Sequence, residues 1–268
     1  MKKLFLIAIL FSTSQLYAQE LFLFTEPASN MAKGNIGVRL NNMLMENAAT
    51  NSYKYHLIPE VMIGVSRKVM VHADAFISDE TNKFIAEGGS VYAKYRFFSI
   101  DGIHSHFRMA TYARYSFNNA PVHDAAINLY GHNSGYEAGI VATKLINKVA
   151  LSASSYFSHA LDNDQNKFLY GDGNRNAINY TLSVGKLMLP KAYITYKQTN
   201  LNLMVEILGQ TNLQTGSSYL DIAPAAQLIV DSKMRFDLGY RYAVVSNLYR
   251  QETQGFLIRL EYNFFNVF

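Results

Sequence analysis

From residue 234 the chain reads MRFDLGYRY, and its side chains sort by parity. Met234, Phe236, Leu238, Tyr240 and Tyr242 fall on one side, and Arg235, Asp237, Gly239 and Arg241 on the other. Successive strand residues point to opposite faces, so this stretch builds a ribbon with one apolar face and one charged face. Full charges in mid-strand constrain the fold more than the alternation does. They must be watered or paired, while the apolar face must be buried or set in lipid. The closing stretch repeats the arrangement: Phe256, Ile258, Leu260, Tyr262 and Phe264 oppose Arg259, Glu261 and Asn263. Both runs reach the about nine to eleven residues that a tilted strand needs to cross hydrocarbon.

The same sorting works upstream. Val38 and Leu40 oppose Arg39, and Val61 and Ile63 oppose Glu60 and Met62. Ala73 and Ala75 oppose His72 and Asp74, and Val91, Ala93 and Tyr95 oppose Tyr92, Lys94 and Arg96. Phe107, Ala113 and Tyr115 oppose Arg108, Tyr112 and Arg114, and Tyr136, Ala138 and Ile140 oppose Glu137. Later strands are softer: 149–157, 178–189, 201–209, where Glu206 opposes Val205 and Ile207, and 219–230. With the two C-terminal runs this predicts an all-β fold, a single transmembrane antiparallel β-barrel of about 12 strands, over residues 32–268. Short connections at 66–69, 98–105, 146–149 and 230–233 alternate with longer polar ones at 44–54, 79–87, 118–133, 158–176, 211–218 and 246–253. Periplasmic turns and extracellular loops produce that rhythm. Residues 189–200 break it. Pro59 and Pro224 fall inside predicted strands, where a missing ladder donor predicts a bulge or an early end.

The N-terminus reads as a signal peptide over residues 1–18. MKK is the positive region, LFLIAILF the apolar region, and cleavage after Ala18 leaves a chain starting at Gln19. Residues 19–31 are then expected as a short periplasmic or barrel-capping segment. The sequence has no Cys, so disulfides, thiolate ligands and a lipid anchor at the cut are excluded. Beyond residue 20 no apolar run is long enough for a membrane helix. A large exported β-sandwich is the competing fold. Charged mid-strand positions opposite almost purely apolar ones favour the membrane, as do aromatics near predicted strand ends. These aromatics are Tyr and Phe, 19 and 17 of them, with no Trp. The expected location is the outer membrane of a Gram-negative cell, with its lipids as partners.

Two segments carry a family resemblance. EPASNMAKGNIGVRLNN at 26–42 and LMLPKAYITYKQTNLNLMVEILGQ at 187–210 resemble uncharacterised outer-membrane proteins of the Bacteroidetes type. That group is related to outer-membrane proteins associated with phenol meta-cleavage pathways. Glu26, Pro27, Asn30, Pro190, Lys197, Gln198, Thr199, Asn200 and Glu206 carry the likeness. It implies an outer-membrane barrel and no catalytic residue. The terminal EYNFFNVF resembles the signal by which barrel assembly machinery recognises its substrates, which makes Phe268 the candidate assembly residue and that machinery a partner.

The candidate functional residues are the inward charges: Arg39, Glu60, Lys94, Arg96, Arg108, Arg114, Glu137, Glu206, Arg235, Asp237, Arg241, Arg259 and Glu261. One reading is a lumen that conducts or binds a small polar solute, with opposed charges setting selectivity. The other is cross-strand pairing that fills a closed interior. No cofactor and no metal are expected, and near-neutral charge gives no reason to expect nucleic acid. The side chains closest to a metal-ligating pattern are His56, His72 and Asp74, with Glu60, on two adjacent strands. DNDQNK and GDGNRN lack the terminal Glu of a calcium loop. A lipid hydrolase would need a nucleophile, base and orienter to converge, and Ser155, Ser158, His159 and Asn163 are the nearest set. A structural or adhesive role through the long loops is the remaining alternative.

Overall fold

The computed structural model describes residues 22–102, 105–168, 174–192 and 197–268. The predicted signal peptide lies outside the described residues, as does His104. The strands are β1 (Ile36–Asn47), β2 (Ser52–Gly64), β3 (Val69–Ser78), β4 (Ile85–Asp101), β5 (Ser105–Asn118), β6 (Gly135–Ile146), β7 (Val149–Ala160), β8 (Asn176–Leu189), β9 (Asn200–Asn212), β10 (Ser218–Val230), β11 (Met234–Ser246) and β12 (Glu252–Phe264). Each pairs antiparallel with its chain neighbours, and β1 closes the ring on β12 from Ile36↔Phe264 to Asn47↔Glu252. Closure leaves no edge, so the ladder satisfies its backbone groups without water.

Burial is inverted relative to a water-soluble protein. Arg39 and Lys94 are 1 % and 0 % exposed, whereas Val91 and Ile140 are 59 % and 53 % exposed. Outward residues of every strand follow the apolar parity of the sequence, and inward ones follow the polar parity. Exposed aromatics gather in two bands. Tyr53, Phe84, Tyr115, Phe117, Tyr136 and Tyr242 lie toward the long-loop end, and Tyr95, Phe97, Phe98, Tyr262 and Phe264 toward the end holding both termini. An apolar belt between aromatic bands around a polar interior is the architecture of an outer-membrane barrel, and a hydrocarbon layer covers that belt.

Both prolines differ from expectation. Pro59 stays in register with Leu40 of β1, and the β2–β3 pairing omits Ile58 and Pro59 without changing register. Pro224 pairs with Val205, while the pairing to β11 omits Ala223 and Pro224 in the same way. A missing N–H therefore interrupts one ladder and needs no inserted residue. The register shifts fall nearer strand ends, at Glu46/Asn47, Phe76/Ile77, Arg96/Phe98, Leu187/Leu189 and Leu220/Asp221.

Two segments enter the barrel. Residues 22–33, in the segment expected to be periplasmic or to cap the barrel, occupy the lumen near the terminal end. Phe22 and Leu23 are buried against Ala150, Met204, Ala225 and Leu257. Close backbone approach explains two glycines here. A Cβ on Gly64 would lie 2.0 Å from the Ala32 carbonyl oxygen, and one on Gly239 2.3 Å from Leu23 Cδ2. Gly34, at φ +79°, turns the segment into β1 beside the Phe268 carbonyl. Residues 119–134, read as a polar outer loop, fold inward from the other end. Val122, Ile127 and Leu129 pack with Ala160, Phe168 and Ala177. A loop carrying these apolar side chains gains by leaving water.

Candidate functional site: the filled lumen

The N-terminal segment forms a floor because strand side chains bind its backbone. Glu206 accepts from the amides of Leu23 and Phe24 at 2.7 and 3.0 Å. Arg259 donates to the carbonyls of Phe22 and Leu23, and its Nε donates to Asn41 Oδ1 at 2.8 Å. Lys94 Nζ donates to the Pro27 carbonyl at 2.8 Å and pairs with Glu26 at 3.2 Å. Ala28 N donates to Thr143 Oγ1, and Arg108 to Ser29 Oγ. Each anchor sits on a different strand, so the floor spans the barrel.

Beside the floor lies the densest ion network. Arg39 reaches Glu26, Glu60 and Glu261 at 3.3, 3.2 and 2.9 Å. Register explains part of it: Arg39 pairs with Glu60 in β2 and with Glu261 in β12. Arg235 pairs with Glu261 at 3.3 Å, and Arg259 lies 3.8 Å from Asp237, again register partners. His72 Nδ1 is 2.6 Å from Glu60. Arg114 holds Asp74 at 2.8 Å and Glu137 at 3.2 Å, between the rings of Tyr92 and Tyr130 at 5.1 and 4.9 Å. In the low dielectric of the lumen such groups are tolerable because each charge meets an opposite one.

Arg241 stands apart from Arg235 and Asp237. Its guanidinium joins Arg250 on Asp221, both at 2.6 Å, and Arg250 stacks on Tyr219 at 3.9 Å. Arg96 lies at the terminal rim, donating to the Arg67 carbonyl, and Arg108 lies near it, paired with Asp101. The four metal-pattern residues do not form one cluster. His72 faces Glu60, Asp74 faces Arg114, and His56 lies farther along β2 toward the loops, 2.9 Å from Glu252. The hydrolase set does not converge either. Ser158 points inward and accepts from Asn179, whereas Ser155 and His159 share the outer face four residues apart, about 13 Å along a strand. His159 bonds Asn176, and Asn163 is buried, holding His132 and Ser134 of the inward loop.

That loop forms a lid. Gln210 exchanges two hydrogen bonds of 2.8 Å with the Ile127 backbone. Ser116 Oγ donates to Leu129 O and Asn118 Nδ2 to Gly131 O. Tyr130 OH donates to Glu60 and accepts from Asn41. Between floor and lid lies a cavity of about 210 Å³, lined by Arg39, Arg114, Arg241, Arg250 and Arg259, by Glu26, Glu60, Glu137 and Glu252, and by Tyr92, Tyr112, Tyr130, Tyr156 and Tyr219. Sequence reasoning missed Tyr130, His132, Arg250 and Glu252, because parity assigns faces to strand interiors and says nothing of loops or strand ends. The run AAINLY at 125–130 was the available signal, being too apolar for a solvated loop.

Closed wall, lipid-facing belt and charged interior together define a porin-like outer-membrane barrel. Comparison with solved structures agrees on the fold. A KdgM porin superposes with a TM-score of 0.51 at 9% identity, covering 85% of this chain and 99% of that one. An outer membrane channel from Pseudomonas putida F1 superposes with a TM-score of 0.51 at 11% identity, covering 92% and 97%. No family model and no curated protein matches the sequence.

Proposed function

We propose that this barrel is a channel or transporter-like protein for small polar solutes, closed at rest by residues 22–33 and 119–134. The observation that carries the reading is the cavity between them. Five arginines and four glutamates with five tyrosines line it. A mixed-sign, aromatic chamber suits a small polar solute that offers both hydrogen-bonding groups and a flat or apolar face. Solved structures of the same fold, described as a porin and an outer membrane channel, support a transport role over a catalytic one. Kinship with the Bacteroidetes-type outer-membrane group belongs to the same proposal. Of the residues that carry that likeness, Glu26, Pro27 and Asn30 lie in the floor and Glu206 anchors it. Phe268, 68 % exposed, is free to be read by assembly machinery.

Planar-bilayer recording of the mature chain beside a variant that lacks residues 19–31 and has residues 119–134 shortened to a Gly-Ser turn tests the reading. The full chain is expected to conduct rarely and the truncated one steadily, with Arg114→Glu changing its ion selectivity. A truncated barrel that is folded, judged by heat-modifiable gel mobility, and still does not conduct would remove the channel reading. The closed lumen would then favour a structural or loop-mediated role.

A further inference from the structure

At the loop end of the lumen, outside the ion network just described, three side chains from separate parts of the chain converge. His56 comes from β2, Glu252 from the start of β12, and His132 from the inward loop. One ligand atom from each lies within 4.8 Å of the others. His56 Nε2 is 2.9 Å from Glu252 Oε1, and His132 Nε2 is 3.7 Å from Glu252 Oε2. Glu80, in the β3–β4 loop and outside this set of three, brings a further carboxylate 3.5 Å from His56 Nε2. Donor atoms around a tetrahedral zinc ion stand about 3.4 Å apart, so the spacing needs little adjustment.

The charge balance calls for a cation. Glu80 and Glu252 both approach His56 Nε2, at 3.5 and 2.9 Å, so two carboxylates crowd one imidazole. Among the described residues the side chains that ion-pair with them are His56, His123 and His132. The neighbouring cations are engaged elsewhere. Lys54 donates to the carbonyls of Asp79 and Glu80 and to Asn82, and Arg241 and Arg250 hold Asp221. Asp124, Glu87 and Asp79 add further negative charge nearby. The other grouping of three donors, Glu26, Glu60 and His72, is the opposite case, since Arg39 and Lys94 already neutralise it.

We propose that His56, His132 and Glu252, with Glu80 as fourth ligand, form a binding site for a divalent transition-metal ion of the zinc type. Two imidazoles and two carboxylates suit such an ion better than calcium or magnesium, which favour all-oxygen shells. His132 belongs to the lid while His56 and Glu252 belong to the wall, so the ion would pin the lid shut. The site stands on these side chains and does not depend on the barrel conducting.

The test uses the untagged mature barrel in detergent, stripped with chelator and titrated with Co²⁺ and then Zn²⁺. One equivalent of Co²⁺ is expected to give the intense visible d–d bands of a four-coordinate site, and Zn²⁺ to abolish them. His132→Gln and Glu252→Gln should each weaken binding by more than about tenfold, the least that losing even an outer partner costs, and His72→Gln should leave it unchanged. Wild-type protein that shows no saturable binding would overturn the proposal. So would binding that survives both substitutions in the cluster or that disappears with His72→Gln. Because His132 lies in a loop, its substitution leaves the strand ladder intact, and heat-modifiable mobility verifies the fold of each variant.

Discussion

Floor and lid fill the same barrel by different chemistry. The floor is gripped by charged side chains from strand interiors: Glu206 and Arg259 on its backbone, and Lys94 and Arg39 on Glu26. The lid is gripped mainly by neutral amides and hydroxyls, namely Gln210, Ser116, Asn118 and Asn163, with one bond from Tyr130 to the Glu60 carboxylate and one cluster of histidines and carboxylates. Hydrogen bonds to charged groups are roughly twice as strong as neutral ones. Losing one partner of a buried charged set also leaves an uncompensated charge, which costs more than the unpaired amide left when a neutral partner goes. The floor should therefore be the fixed element and the lid the conditional one.

Arg259→Ala strikes the floor hardest. It removes both donors to Phe22 and Leu23 and leaves Asp237 without the β12 guanidinium 3.8 Å from it. Breaking a buried set in this way costs roughly 3–5 kcal/mol. Protease added to the folded barrel should then cut within residues 22–33, which wild type protects. An uncut floor would show that apolar anchoring of Phe22 and Leu23 suffices, reversing the ranking of the two segments. Glu206→Gln tests the same grip more gently. It keeps a carbonyl acceptor for the amides of Leu23 and Phe24, loses the charge and puts an NH₂ where Oε2 accepts from Ser183, so about half the strength of each amide bond should go.

On the lid, Gln210→Ala removes both hydrogen bonds to Ile127 and leaves that backbone N–H and C=O buried without these partners. The expected cost is roughly 1–3 kcal/mol, confined to the lid. Hydrogen exchange over residues 119–134 should accelerate while the strands and residues 22–33 keep their protection. Acceleration spreading to the floor would mean that the two segments form one cooperative unit, coupled through Tyr130 and Glu60.

The sequence carried the wall far better than its contents. Met234 to Tyr242 and Phe256 to Phe264 declare their faces because a strand next to lipid tolerates no exchange between them, and the paired registers Arg235↔Glu261 and Asp237↔Arg259 follow from adjacency. Arg39, Glu60, Lys94 and Glu206 were legible as inward charges for the same reason. Their partners were not. Glu26 lies in a segment without periodicity, and which strands it would meet depends on a path that only packing decides. His56 and His72 share a parity on adjacent strands, yet they stand at different depths, so shared parity did not make them neighbours. His132 and Glu252 are more than a hundred residues apart, joined by a loop that turns inward for its apolar side chains.

The smallest effect concerns protons on the lid cluster. Burial, reinforced by Glu252, raises the Glu80 carboxyl from its ordinary 4.5 to about 7. A carboxyl whose folded value lies above its unfolded one stabilises the folded arrangement fully below about pH 4.5 and loses that contribution as pH rises through about 7. His132 runs the other way. Burial and the neighbouring His56 and Arg241 hold it well below 6.5, so its contribution is present above that value and is lost as pH falls. Comparing wild type with Glu80→Gln isolates the first of these, since His132 and the intrinsic exchange chemistry are common to both. In metal-free protein the ratio of their lid protection factors should rise in favour of wild type as pH is lowered from 7 to 5, and the floor should show no such trend. A flat ratio would mean that the Glu80 carboxyl is not raised in the folded lid. The lid would then be held by its amides alone, and the contrast between a fixed floor and a conditional lid would rest on hydrogen-bond strength without any titrating latch.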